Sequence, residues 1–124
     1  MSFCTAINCM DGRVQLPVIE YLKKKFTVDY VDMITEAGPN KIIADGTDWK
    51  LVESIFSRVK ISVEKHGSKH IAIIGHHDCA GNPVGEEEQR LHIQKAVEAA
   101  SDRFGNVDVI GLWVNKNWNI TEIS

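Results

Sequence analysis

The sequence predicts an α/β fold: one domain built on a mainly parallel sheet of four to five strands, with helices on both faces. Two observations predict it. Short apolar runs rich in strand formers alternate with long amphipathic stretches, which is the pattern of strand–helix–strand units. The run Ile71-Ala72-Ile73-Ile74 is also apolar at every position, as an interior parallel strand covered on both sides must be. At 124 residues the chain can bury one core, and it shows no internal repeat or low-complexity segment, so residues 1–124 are read as a single domain.

The elements follow in order. Residues 3–9 (Phe-Cys-Thr-Ala-Ile-Asn-Cys) read as a buried strand closed by Asp11-Gly12. Residues 16–26 read as a helix, with Pro17 tolerated in its first turn and Val18, Leu22 and Phe26 on one face. A second strand over 28–35 stops at the turn cluster Ala37-Gly38-Pro39-Asn40, and a loop holding Asp45-Gly46 follows. Residues 48–66 give the clearest helix: Trp49, Val52, Ile55, Phe56, Val59 and Val63 form one apolar stripe, and Gly67 stops it. The third strand spans 69–75. A third long helix spans 86–104, with Leu91, Val97, Ala100 and Phe104 inward and Glu86 to Glu88 near its positive N-terminus. A fourth strand over 107–114 is paired by 118–123 folding back across Asn115-Lys116-Asn117.

Composition narrows the function. A formal charge of -3 leaves no basic footprint, which argues against nucleic acid as a partner. The longest apolar stretch, 71–75, is far too short to span a membrane, so no membrane partner is expected. The segment Met1-Ser2-Phe3-Cys4 lacks the charged and apolar regions of a signal peptide, and the protein is read as cytoplasmic. A reducing compartment favours metal or catalytic thiolates over disulfides at Cys4, Cys9 and Cys79.

Two segments carry chemistry: Cys9-Met10-Asp11-Gly12-Arg13 and His76-His77-Asp78-Cys79. Two cysteines and a histidine suit Zn²⁺, and three protein ligands leave a fourth position open, as in catalytic sites. A metal held this way brings bound water to a pKa near ~7. His76 and Cys79, three apart on a turn after a strand, can aim at one point; Cys9 ends another strand, and neighbouring strands run about 5 Å apart. Ligand sites in such sheets lie beyond the carboxyl ends of strands. Arg13 can fix the carboxylate of Asp11 by charge-assisted hydrogen bonds, leaving Asp11 to accept from a metal-bound water or to fill the fourth position itself.

Plainer roles compete. Cys9 and Cys79 can be buried core thiols, and Asp11-Arg13 a structural ion pair. Cys4 is expected in the core, on the face opposite Cys9. His77 competes with His76 as ligand, the three-residue spacing favouring His76. Asp78 is expected to cap its turn by accepting backbone N–H bonds. His66, His70, His92 and Lys23-Lys24-Lys25 read as surface, Gly38 and Gly81 as backbone-geometry residues beside the site, and Trp113 and Trp118 as core or subunit interface.

Cys-x-Asp-x-Arg, followed after a strand and a long helix by Gly-His-x-x-Cys, resembles the signature of the β-class carbonic anhydrases. Ile34-Thr35-Glu36-Ala37-Gly38-Pro39-Asn40 resembles that family's strand ending in Ala-Gly-Asn, and Val109-Ile110-Gly111-Leu112-Trp113-Val114 its last sheet strand. The resemblance covers residues 3–123. It implies one Zn²⁺ per chain on Cys9, His76 and Cys79, with Asp11 and Arg13 as a catalytic dyad. It also implies reversible hydration of CO₂ to bicarbonate, and a homodimer or higher homo-oligomer. His77 is then a candidate proton shuttle, and Ala37, Gly38 and Ile42 a candidate apolar wall for CO₂. Hydrolysis of carbonyl sulfide or carbon disulfide at the same site, or a zinc-binding module without catalysis, are the alternatives. Five features depart from the family pattern. Cys79-Ala80-Gly81 replaces Cys-Gly, Gly12 replaces a serine, and the family's N-terminal helices have no counterpart before Cys9. Nor has a glutamine that many members contribute from that region, and the helical segment after the second cysteine is short, Gly81-Asn82-Pro83 leading almost directly into the last helix.

Overall fold

The computed structural model describes all 124 residues, and its elements grow from local signals in the chain. Strand β1 (Phe3–Cys9) is buried from Cys4 onward. The Asp11 carboxylate then accepts from the Arg13 N–H at 2.9 Å, capping a 3₁₀ turn over Gly12–Val14 that leads into helix α1 (Gln15–Phe26). Thr27, in the left-handed region at φ 52°, closes α1 by donating its N–H to the Lys23 carbonyl. Strand β2 (Tyr30–Glu36) begins two residues later than the sequence suggests, because Asp29 is tied to Ser2 by hydrogen bonds to its N–H (3.0 Å) and hydroxyl.

The stretch read as turn and loop is instead a short helix, α2 (Pro39–Asp45). Gly38 takes a left-handed conformation (φ 64°) and Pro39 starts the helix, where its missing N–H costs nothing. Asp48 caps α3 (Trp49–Lys65) by accepting from the Leu51 N–H. Strand β3 (His70–His76), helix α4 (Glu86–Arg103) and strand β4 (Asp108–Val114) follow. Strand β5 (Ile120–Glu122) does fold back on β4, across a turn in which the Asn115 side chain accepts from the N–H groups of Asn117 and Asn119.

The five strands run in the order β2-β1-β3-β4-β5, parallel except for the antiparallel β4–β5 pair. After β2 the chain crosses over β1 to lay down β3, so the direction of winding reverses between β1 and β3. In open parallel sheets that reversal opens a crevice at the carboxyl edge. Cys9 and His76 are the last residues of these two strands.

One apolar cluster joins Ile7, Ile71 and Ile73 to Ile55, Phe56 and Val59 of α3 and to Ile93, Val97 and Ala100 of α4. The other joins Cys4, Ala6, Ala72 and Ile74 to Val18 and Leu22 of α1. Ile43 of α2 joins the first cluster, so three helices cover one face and α1 alone covers the other. Two residues expected inward face solvent: Trp49 is 65% exposed and Leu91 54%. On α4 the inward row is Gln89, Ile93, Ala96, Val97 and Ala100; Leu91 stands two residues from both Gln89 and Ile93, on the far side of the helix.

Candidate metal centre

The two strand ends bring the three predicted donors together. Cys9, His76 and Cys79 are buried, and their ligand atoms all lie within 4.8 Å of one another. The Cys9 and Cys79 sulfurs are 3.8 Å apart and unbridged. Two thiolates held tetrahedrally at about 2.3 Å from one Zn²⁺ stand about 3.8 Å apart, so the pair already has the separation a shared ion requires. The imidazole of His76 is fully buried. Its Nδ1 bonds the His77 carbonyl at 2.7 Å, which puts the ring proton there, while Nε2 is buried without any hydrogen-bond partner. A buried ring nitrogen that no hydrogen bond satisfies is what a metal ligand needs and what a core histidine avoids. The donor set and its geometry fit zinc.

Electrostatics agree. The Cys9 thiol is held well below its ordinary range, first by the hydrogen bond from Cys79 and against the effect of burial, while Cys79 is raised by that same contact and by burial. Backbone N–H groups of Asp11 and Gly38 face Cys9, and those of Gly81 and Asn82 face Cys79, ready to offset thiolate charge.

Asp11 and Arg13 stand beside this triangle as a two-pronged ion pair: Arg13 Nε donates to Asp11 Oδ1 at 3.0 Å and Nη2 to Oδ2 at 2.7 Å. The guanidinium hydrogen bonds hold the Asp11 carboxyl at about 2, below its ordinary 3.8. Arg13 is held on two further sides. Its Nη1 and Nη2 donate to the side chain and carbonyl of Asp78 at 3.3 and 3.2 Å, and its guanidinium carbon lies 5.0 Å from the Trp118 ring centre. Asp78 was expected to cap its own turn. With φ at 58° it instead turns its carboxylate outward to Arg13.

Other expectations resolve in the same way. His76 faces the cysteines, whereas His77 is exposed and lines the adjoining groove. Cys4 is core, as read, but alternation misleads about Cys9: both cysteines join the same cluster, because Cys9 ends its strand and contacts Cys79 around the sheet edge. His66 is exposed, as read, and pairs with Asp32 at 2.6 Å, while His70 is half-buried and stacks on Phe26 with ring centres 4.0 Å apart. His92 is half-buried and bonds Asn82. Lys23, Lys24 and Lys25 are exposed, as read, and Lys25 also pairs with Glu122. Trp113 is core and Trp118 packs beside the site. The groove next to Cys79 takes its apolar wall from Ala80, Pro83 and Val84, not from Ala37, Gly38 and Ile42; Ile42 packs into the core.

Gly38 and Gly81 do serve backbone geometry. A Cβ on Gly81 would fall on the Ala37 carbonyl and 2.7 Å from the Gly38 nitrogen, and one on Gly38 would lie 2.7 Å from the Gly81 carbonyl carbon. The two loops touch backbone to backbone, which brings the Gly38 N–H to Cys9 and the Gly81 N–H to Cys79. Sequence reading missed Gln15, whose Nε2 donates to the Cys9 carbonyl at 2.5 Å, and a buried amide group of Asn40, Asn82 and Gln89. The signal for Gln89 was present: it is a polar residue in step with the apolar row Ile93, Ala96, Val97 and Ala100.

A family model described as "Putative carbonic anhydrase" matches residues 1–124. The chain belongs to this carbonic anhydrase family. No curated protein matches its sequence. Among solved structures it is similar to one of two tetrameric β-carbonic anhydrases from Sordaria macrospora, with a TM-score of 0.65 and 14% identity over 98% of this chain and 80% of that one. It is also similar to a carbonic anhydrase from Glaciozyma antarctica (TM-score 0.61, 16% identity, 97% and 81% covered). A β-carbonic anhydrase of Aspergillus fumigatus gives a TM-score of 0.59 at 15% identity, with 98% and 74% covered. These structures show that the chain has the β-carbonic anhydrase fold.

Proposed function

We propose that the protein is a zinc-dependent carbonic anhydrase that reversibly hydrates CO₂ to bicarbonate, with one Zn²⁺ per chain held by Cys9, His76 and Cys79. The observation that carries this reading is the unpartnered Nε2 of His76 facing two sulfurs already at metal-sharing distance. Zinc, when bound, supplies a Lewis acid that makes water a nucleophile near neutral pH.

The chain's own groups do the rest. Asp11 stays ionised at any working pH, so its carboxylate accepts a hydrogen bond from the attacking water and orients it. Arg13 keeps that carboxylate in one orientation through two parallel hydrogen bonds, and Asp78 keeps Arg13 from swinging away. Ala80, Pro83 and Val84 give a small linear substrate an apolar wall beside Cys79. His77, exposed at the rim of the same groove, is placed to carry the released proton to solvent.

The reading extends to a cytoplasmic homodimer or higher homo-oligomer. Met10 and Leu16 flank the site with 64% and 61% of their surface exposed, which suits a covered face, and three free cysteines suit a reducing compartment. No helix is long and apolar enough to cross a membrane.

The test is stopped-flow CO₂ hydration with metal content measured on the same sample and Cys79→Ser as control. One zinc per chain with activity lost in the variant is the expected result. One zinc without CO₂ hydration removes the anhydrase reading and turns a carbonyl sulfide and carbon disulfide panel into the next measurement. Absence of bound zinc removes the reading altogether.

A further inference from the structure

Gln89 is fully buried on the inward face of α4. A buried primary amide is costly unless each of its groups is paired, and here the pairing is specific. Its Nε2 donates to the carbonyls of His76 and Asn82, both at 3.0 Å. Those two residues bracket the loop that carries Cys79, so a single amide nitrogen fastens both ends of the ligand-bearing segment. Its Oε1 accepts from Asn40 Nδ2 at 2.9 Å, and Asn40 follows the Gly38-Pro39 corner that touches Gly81. Asn82 completes the ring by donating to Asn40 Oδ1 at 3.4 Å and bonding His92 Nδ1 at 2.9 Å.

The glycine before the ligand histidine is explained by the same amide. A Cβ on Gly75 would lie 2.6 Å from Gln89 Oε1 and 2.9 Å from Asn40 Nδ2. Any side chain at position 75 would therefore evict the Gln89 amide. Further along, the His76 ring is aimed by its Nδ1 bond to the His77 carbonyl, within the loop Gln89 fastens. The Gln89 amide thus fastens the backbone of the loop against whose His77 carbonyl the Nδ1 of the ligand ring is anchored.

We propose that Gln89 is a positioning residue for the metal centre: by fastening the His76 and Asn82 carbonyls it fixes the ligand loop and sets the affinity of the site for its metal. This rests on Cys9, His76 and Cys79 being the ligands. Partners that orient metal ligands typically change affinity by about 10–100-fold when removed.

Two variants test it. Gln89→Met keeps the length of the side chain and removes the amide, and Gln89→Glu keeps the shape but turns an oxygen toward the two carbonyls. Zinc affinity is measured by chelator competition, cobalt(II) absorption reports the thiolate centre, and thermal denaturation of the metal-free proteins reports the fold. The expected result is a dissociation constant raised about 10–100-fold with an altered cobalt spectrum in both variants. Should Gln89→Met fail to fold, Gln89→Glu decides alone. Unchanged affinity and spectrum beside a lower metal-free melting temperature would overturn the proposal and leave Gln89 as core polarity only. A wild-type protein that takes up neither zinc nor cobalt would instead overturn the ligand assignment, and the role of Gln89 with it.

Discussion

Asp11 is the residue on which pH acts most directly. Its carboxyl is held at about 2, first by the Arg13 hydrogen bond, against an ordinary 3.8. A depressed carboxyl stabilises the folded state above its unfolded pKa and loses that contribution as the pH falls through the folded value. Metal-free wild type should therefore melt above Asp11→Asn at pH 5, and the two melting curves should converge between about pH 4 and pH 2. On the proposed mechanism the same substitution removes a charged acceptor beside the reacting water, and kcat should fall by about 100-fold or more in the zinc-loaded enzyme. Stopped-flow rates across neutral pH check it; an unchanged kcat would leave Asp11 a purely structural partner of Arg13. The residues of this site were readable because donor chemistry and strand-end placement coincide at Cys9 and His76. Gln89 was legible only as a polar residue in step with an apolar row; its purpose shows when its two carbonyl partners are seen.

Among the elements, the contact between the Gly38 corner and the Gly81 loop is the most demanding. Gly81→Ala would drive a methyl group into the Ala37 carbonyl, and overpacking of this kind costs about 1–3 kcal/mol. Gly105→Ala, with nothing within 4 Å of the new Cβ, should stay within about 0.5 kcal/mol of wild type. Urea denaturation of the two variants compares them directly, and Gly81→Ala should also weaken zinc binding because it moves an N–H that faces Cys79. Helix α2 shows where sequence reading stops. Gly38-Pro39-Asn40 looks like a turn, yet glycine before proline also starts a helix, and choosing between them needs the Gly81 loop from 43 residues later. Trp49 and Leu91 show the converse: periodicity finds a helix, but the face it buries depends on what the sheet offers, and on α4 the sheet takes Gln89 in preference to Leu91.

For the molecule as a whole, the Cys9, His76 and Cys79 triangle joins the ends of β1 and β3, so a metal held there as proposed links binding to folding. Anything bound by the folded chain alone raises its stability; zinc at a hundred times its dissociation constant adds about 2.7 kcal/mol. For a chain of this size, removal of the metal by a chelator should lower the melting temperature by about 10 °C in scanning calorimetry. Cys79→Ser should lose that response. The architecture itself was legible, from the third strand's unbroken apolar run to the fold-back of β5, because alternation of strand and helix leaves few topologies open. That α1 covers one face alone was not, since no local pattern records which side a crossover takes. The reversal of winding between β1 and β3 also has a consequence in time. Cys9 and Cys79 are 70 residues apart in the chain. At about 5–20 residues per second, a ribosome leaves the first thiol waiting roughly 4–14 s for its counterpart. During synthesis Cys9 thus waits with only Cys4 for thiol company, and a metal held as proposed could be loaded only after β3 and the Cys79 loop have emerged and docked. A nascent chain halted before β3 should hold no zinc at this position, however much of the first half has already folded.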